Sequence, residues 1–148
     1  MSIKLQVPLV KQELAMECWY ASACMVAYFF EAGPRLGLPE KWRSNKGINP
    51  NLGDFTALAK AEGLVAVPSA SQVWTEAALE KLLKESGPIW SAGYWYGAPH
   101  IVVLTGVDKG SVFINDPDGP AAKSGTLAWY NDKLAKTVAG CMMCHKTK

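Results

Sequence analysis

Charge of one sign is what this sequence has least to spare: 15 lysines and arginines against 13 aspartates and glutamates leave a formal net charge of +2 over 148 residues. Apart from a short basic end at Lys146 and Lys148 these charges are scattered, so the clustered basic face that nucleic acid requires is missing. Histidine is scarce, with two in the chain, which limits the usual general base near neutral pH to His100 or His145. Long apolar runs are missing too. The most apolar stretch, Ala15 to Phe30, is broken by Glu17 and falls short of the roughly 20 residues of a membrane span. Residues 1–10 hold neither the apolar core nor the small-residue cleavage site of a signal peptide. Nucleic acid and membrane are therefore not expected partners. The expected location is the cytoplasm, or outside the cell by a route that needs no cleaved signal, and the four cysteines are expected as reduced thiols.

What is present suits one globular unit. At 148 residues and 49% hydrophobic composition, the chain can bury one continuous core, and a single domain over residues 1–148 is expected. No repeat or low-complexity segment interrupts it. After an extended lead, Lys4 to Val10, the segment Cys18 to Phe30 is apolar on every face, as in a helix buried inside a protein, with Gly33-Pro34 as its stop. Gly37 to Pro50 reads as a loop. Helices are expected over Leu52 to Ala61, with Gly63 just past the end, and over Thr75 to Lys84, where Ala78, Leu79, Leu82 and Leu83 recur at helical spacing. The texture then changes to short β-branched and aromatic runs: Ile89 to Tyr94, His100 to Gly106 and Ser111 to Asn115, with Leu127 to Tyr130 and Thr137 to Met143 as further candidate strands. Helices followed by strands indicate an α+β fold, a buried N-terminal helix packed on an antiparallel sheet.

Four polar residues stand where this arrangement gives them chemistry. Cys18 opens the buried helix, where the helix dipole and the free N–H groups of the first turn favour thiolate, the nucleophilic form. Cys24, deeper in the same helix, reads as inert packing. His100 opens an apolar strand directly after Gly97-Ala98-Pro99. Asp116 closes the next strand, across the Asp108-Lys109-Gly110 turn, and a hairpin sets the start of one strand beside the end of the other. Only one of Asn115 and Asp116 can meet the base, because alternate side chains share a face. Asp116 is the expected one, since a carboxylate favours imidazolium as well as accepting its N–H. Six residues before Cys18, the Gln12 amide can donate to an oxyanion together with the Cys18 N–H.

Gln12, Cys18-Trp19 opening a helix, His100 opening a strand and Asp116 closing the next resemble the Gln–Cys–His–Asp/Asn set of papain-like cysteine peptidases. The surrounding text, Val7 to Gln12, Cys18 to Met25, Gly87-Pro-Ile-Trp90 and His100 to Gly106 before Asn115-Asp-Pro117, is most like small bacterial types: the AvrRpt2-like effector proteases and the bacteriocin-processing C39-like peptidases. Papain itself has an Asn where Asp116 stands, and glycine-rich sequence where this chain has Met16-Glu17. The resemblance implies a papain-like fold and a hydrolase in which Cys18 attacks, His100 is the base, Asp116 orients it and Gln12 holds the oxyanion. No metal or other cofactor is required. The expected substrate-lining residues are Trp19 together with Trp95 and Tyr96 of the aromatic cluster Trp90, Tyr94, Trp95 and Tyr96, with a place in the core as the equal alternative for the tryptophans. The substrate is expected to be protein, peptide or peptidoglycan. With no pro-segment read in the chain, restraint is expected from an inhibitor or immunity protein.

Other readings of the same residues are a peptidoglycan amidase, a glutamine deamidase or a catalytically silent binding module. Cys141-Met-Met-Cys144-His145 also matches the haem-attachment pattern. At the end of a chain with no export signal, that match is expected to carry no haem, with zinc as a lesser possibility.

Overall fold

The computed structural model describes residues 2–11, 18–30 and 54–145. Gln12, the expected stop at Gly33-Pro34, the expected loop from Gly37 to Pro50, the start of the second helix at Leu52 and the basic end at Lys146 and Lys148 lie outside the described residues. Along the chain come β1 (Ser2–Lys4), α1 (Cys18–Phe30), α2 (Asp54–Glu62), β2 (Leu64–Ala66), α3 (Glu76–Ser86), β3 (Ile89–Gly93), β4 (His100–Asp108), β5 (Ser111–Asp116), β6 (Ala121–Thr126), α4 (Leu127–Lys133) and β7 (Met142–His145). The strands form one antiparallel sheet in the order β2-β7-β3-β4-β5-β6, with β1 paired to the far half of β4. The fold is α+β, as the sequence indicates.

Aromatic side chains join the layers. Trp90 of β3 donates its indole N–H to the Trp19 carbonyl of α1 at 3.1 Å and meets Phe55 of α2 edge to face at 4.9 Å. Its neighbour Ser91 points the other way, to the Tyr130 hydroxyl of α4 at 3.0 Å. Alternate residues of one strand thus reach helices on both faces, which is why β3 and the interior of β4 are buried throughout. Trp19, Trp90, Trp95 and Tyr130 are all buried, and rings of this size each remove about 150–250 Å² from water. The hydroxyl of Ser22, buried on α1, donates to the Ile101 carbonyl at 3.3 Å and fixes the helix against β4.

Where the elements differ from expectation, local chemistry explains it. Leu127 to Tyr130 is not a strand but the start of α4, because the Thr126 hydroxyl caps it by accepting from the Trp129 N–H at 3.0 Å. Thr137 to Met143 is largely turns, and the strand begins only at Met142. Strands β2 and β6 were not expected from sequence. β2 has three residues, and β6 reads Ala-Ala-Lys-Ser-Gly-Thr, polar and largely exposed at the sheet edge.

Candidate active site

The β4–β5 hairpin positions the site. Its two-residue turn has Lys109 at φ 50° and Gly110 at φ 81°, the paired positive angles of a turn whose twist matches the strands. From the turn the pairing runs Asp108↔Ser111, Val107↔Val112, Gly106↔Phe113, and then jumps to Leu104↔Ile114 and Val103↔Asn115. Thr105 is the extra residue, a β-bulge, with its hydroxyl donating to the Phe113 carbonyl at 3.2 Å and its own carbonyl accepting from the Leu5 N–H at 2.9 Å. Opposed side chains share a face, so one extra residue inverts the face for everything beyond it. An unbroken pairing would give His100 the face of Asn115. The bulge gives it the face of Asp116.

The side chains follow that register. His100 Nε2 lies 2.7 Å from Asp116 Oδ1, and the ring also hydrogen-bonds Cys18, the first described residue of α1. With Nε2 engaged by Asp116, the nitrogen available to Cys18 is Nδ1. Asp116 is buried and its carboxylate fully partnered: Oδ1 also accepts from the Asp118 N–H at 3.0 Å, and Oδ2 from Lys123 Nζ at 2.8 Å. Asn115 instead donates from Nδ2 to the Val7 carbonyl at 3.1 Å, tying the N-terminal segment to the sheet.

Burial opposes charge on His100, but the hydrogen bonds with Asp116 and Cys18 outweigh it and raise its pKa from 6.5 to about 9. Burial likewise pushes Asp116 upward, yet the bonds from His100, Lys123 and the Asp118 N–H overcome it and hold the carboxyl at about 2. An imidazolium on a carboxylate is the resting state near neutral pH. Because His100 is raised above its ordinary value, its contribution to stability is full below about pH 6.5 and is lost as pH rises through about 9. Asp116 is lowered, so its contribution is present above about pH 3.8 and is lost as pH falls through about 2. The His100 ring resonances, assigned with a His145→Gln variant, should titrate near pH 9. A midpoint near 6.5 would mean that Asp116 and Cys18 do not hold the ring as described.

A family model described as the papain-like cysteine protease AvrRpt2 matches residues 1–135. The chain belongs to this family. Its structure is also similar to that of a double-glycine-motif protease from an AMS/PCAT transporter, solved in complex with the leader peptide. The TM-score is 0.62 at 25% sequence identity, covering 95% of this chain and 91% of that one. The protein is a papain-like cysteine peptidase, a hydrolase.

The other expected site residues fall as follows. Trp19 and Trp95 are 1% and 2% exposed, so they serve the core and have no surface to offer a substrate. Trp95 stacks on Tyr130 at 5.2 Å between centroids. Tyr96, 53% exposed, is the one of the three that faces solvent, its ring 6.5 Å from that of His100. Cys141 and Cys144 are buried, and burial raises both thiols. Among the described residues no three of His, Cys, Asp and Glu come together as a metal site. No helix among the described residues is long and apolar enough to cross a membrane.

Sequence reasoning missed Lys123 and the Thr105 bulge, though each had a signal. Asp116-Pro-Asp-Gly119 is a turn sequence, and a strand returning from it brings Lys123 beside Asp116, as the pairings Asp116↔Ala121 and Ile114↔Lys123 show. A glycine inside a strand, here Gly106, marks a bulge or a close backbone approach. Both occur: a Cβ on Gly106 would lie 2.5 Å from the Ile3 carbonyl.

Proposed function

We propose that the chain acts as a single catalytic domain cleaving peptide bonds, with Cys18 as nucleophile, His100 as acid and base, Asp116 as orienting carboxylate and Gln12 with the Cys18 N–H as oxyanion donors. The observation that carries this reading is the His100 ring, held through Nε2 by Asp116 and hydrogen-bonded on its other side to Cys18. With His100 resting as the imidazolium, the Cys18 proton already lies on it; the thiolate adds to the carbonyl carbon, and the oxyanion is met by Gln12 and the Cys18 N–H. The C–N bond breaks as His100 returns its proton to the leaving amine. A water, deprotonated by His100, then attacks the thioester, releasing a carboxylic acid and restoring the Cys18 thiol. Tyr96 borders this centre and offers an aromatic surface to the chain being cut.

A peptide substrate is supported by the leader peptide bound to the similar transporter protease. Membership of the AvrRpt2 family supports reading the chain as a bacterial effector. Purified protein should be screened against protein, peptidoglycan and glutamine substrates, with iodoacetamide-treated protein as control. New peptide N-termini that vanish on alkylation are expected. Ammonia release from glutamine, or peptidoglycan cleavage, with every polypeptide left intact would replace the peptidase assignment with a deamidase or an amidase.

A further inference from the structure

Asp116 has a third partner that this mechanism does not use. Lys123, on the edge strand β6, places Nζ 2.8 Å from Oδ2, the oxygen that His100 does not touch. The carboxylate side chain is 3% exposed while that of Lys123 is 39% exposed, so the ammonium reaches in from the surface to an acceptor that solvent hardly serves. Its other side is covered by the Tyr96 ring, 4.7 Å from Nζ to the centroid. We infer that Lys123 is a positioning residue of this centre, its ammonium locking the second oxygen of Asp116 so that the first stays aligned with His100.

The inference rests on the reading of Cys18, His100 and Asp116 as the catalytic set. Two consequences follow from chemistry. Without Lys123, Oδ2 becomes a buried acceptor lacking a partner, a costly state that the carboxylate relieves by turning. Turning takes away the hydrogen bond that raises His100 and so disfavours the imidazolium, whereas loss of the cation's charge alone would favour it, so the direction of the change separates positioning from charge. The titratable groups around the ammonium and carboxylate are His100 on β4, Cys18 on α1, Tyr96 between β3 and β4, and Asp118 in the turn after β5. Among these Lys123 supplies a fixed positive charge.

The test uses Lys123→Met, which keeps most of the aliphatic stem, and Lys123→Arg, which keeps the charge. The His100 midpoint is read by ring NMR and the rate of Cys18 alkylation by iodoacetamide at pH 7. In Lys123→Met the midpoint should move down, because a carboxylate that has turned no longer gives His100 the hydrogen bond that raises it. Alkylation should slow by about tenfold, less than the 10²–10⁴ of losing an acid–base partner outright. Lys123→Arg should restore both. A His100 midpoint in folded Lys123→Met that stays in place or rises overturns the inference, whether or not thermal stability falls, because a merely structural lysine would alter only stability and a lysine acting by charge alone would only raise the midpoint. The catalytic reading fails separately, if Cys18→Ala keeps its hydrolytic activity.

Discussion

Cys18→Ala should abolish hydrolysis, by roughly 10⁶-fold on the scale of removing the nucleophile from a covalent mechanism, while leaving the fold in place. Alanine is the strongest helix former and fits the first described residue of α1 without strain. Iodoacetamide on the wild type should report the same residue. Cys18 is part-exposed and hydrogen-bonded to His100, whereas Cys24, Cys141 and Cys144 are 2%, 1% and 7% exposed. Burial also holds the thiols of Cys141 and Cys144 upward, away from the reactive thiolate. Peptide mapping after brief labelling at pH 7 should find Cys18 modified first. Modification of Cys24 or Cys141 ahead of it, with Cys18 untouched, would remove Cys18 from the nucleophile's place.

Asp116→Ala should cost about 10²–10⁴-fold in kcat/KM, the loss expected when an acid–base partner is no longer positioned. It should also lower the His100 midpoint from about 9, since the hydrogen bond with Asp116 is the foremost influence raising it. Asp116→Asn should be milder in rate, because an amide oxygen can still accept the imidazolium N–H, but it should bring the midpoint down as well, the carboxylate charge being gone. Asn115→Ala should leave turnover near wild type. That side chain holds the Val7 carbonyl, so its loss should appear as reduced thermal stability, by about 1 kcal/mol for a part-buried hydrogen bond. A silent Asn115→Ala enzyme beside an active Asp116→Ala one would reverse the assignment of the third residue.

The helix carrying Cys18 was legible because apolar residues occupy all its faces, a pattern with few other uses in a chain this short. His100 was legible as one of two histidines standing before an unbroken apolar strand. Asp116 was legible only through alternation along β5, which separates it from Asn115. That alternation does not determine which of the two meets His100, because the facing strand has its own register. The bulge that sets it left one faint mark, Gly106. Lys123 was hidden for a different reason: β6 is an exposed edge strand whose polar sequence lacks the apolar alternation of a half-buried one. The burial of Trp19 and Trp95 was open from sequence, since an indole serves a core as well as a cleft.

The single additional residue at Thr105 carries an implication for how such enzymes change over time. Papain-like enzymes place either an acid or an amide beside the base, and in this chain both stand side by side at positions 115 and 116. Loss of that additional residue would let the ladder close regularly, with Leu104 still opposite Ile114, and would leave His100 on the face of Asp116. Keeping the residue but flattening the bulge, with neither position mutated, would instead turn the amide toward the ring. The bulge is thus what lets β4 carry an additional residue without exchanging acid for amide. A homologue with β4 one residue shorter should keep the acid at the position of Asp116.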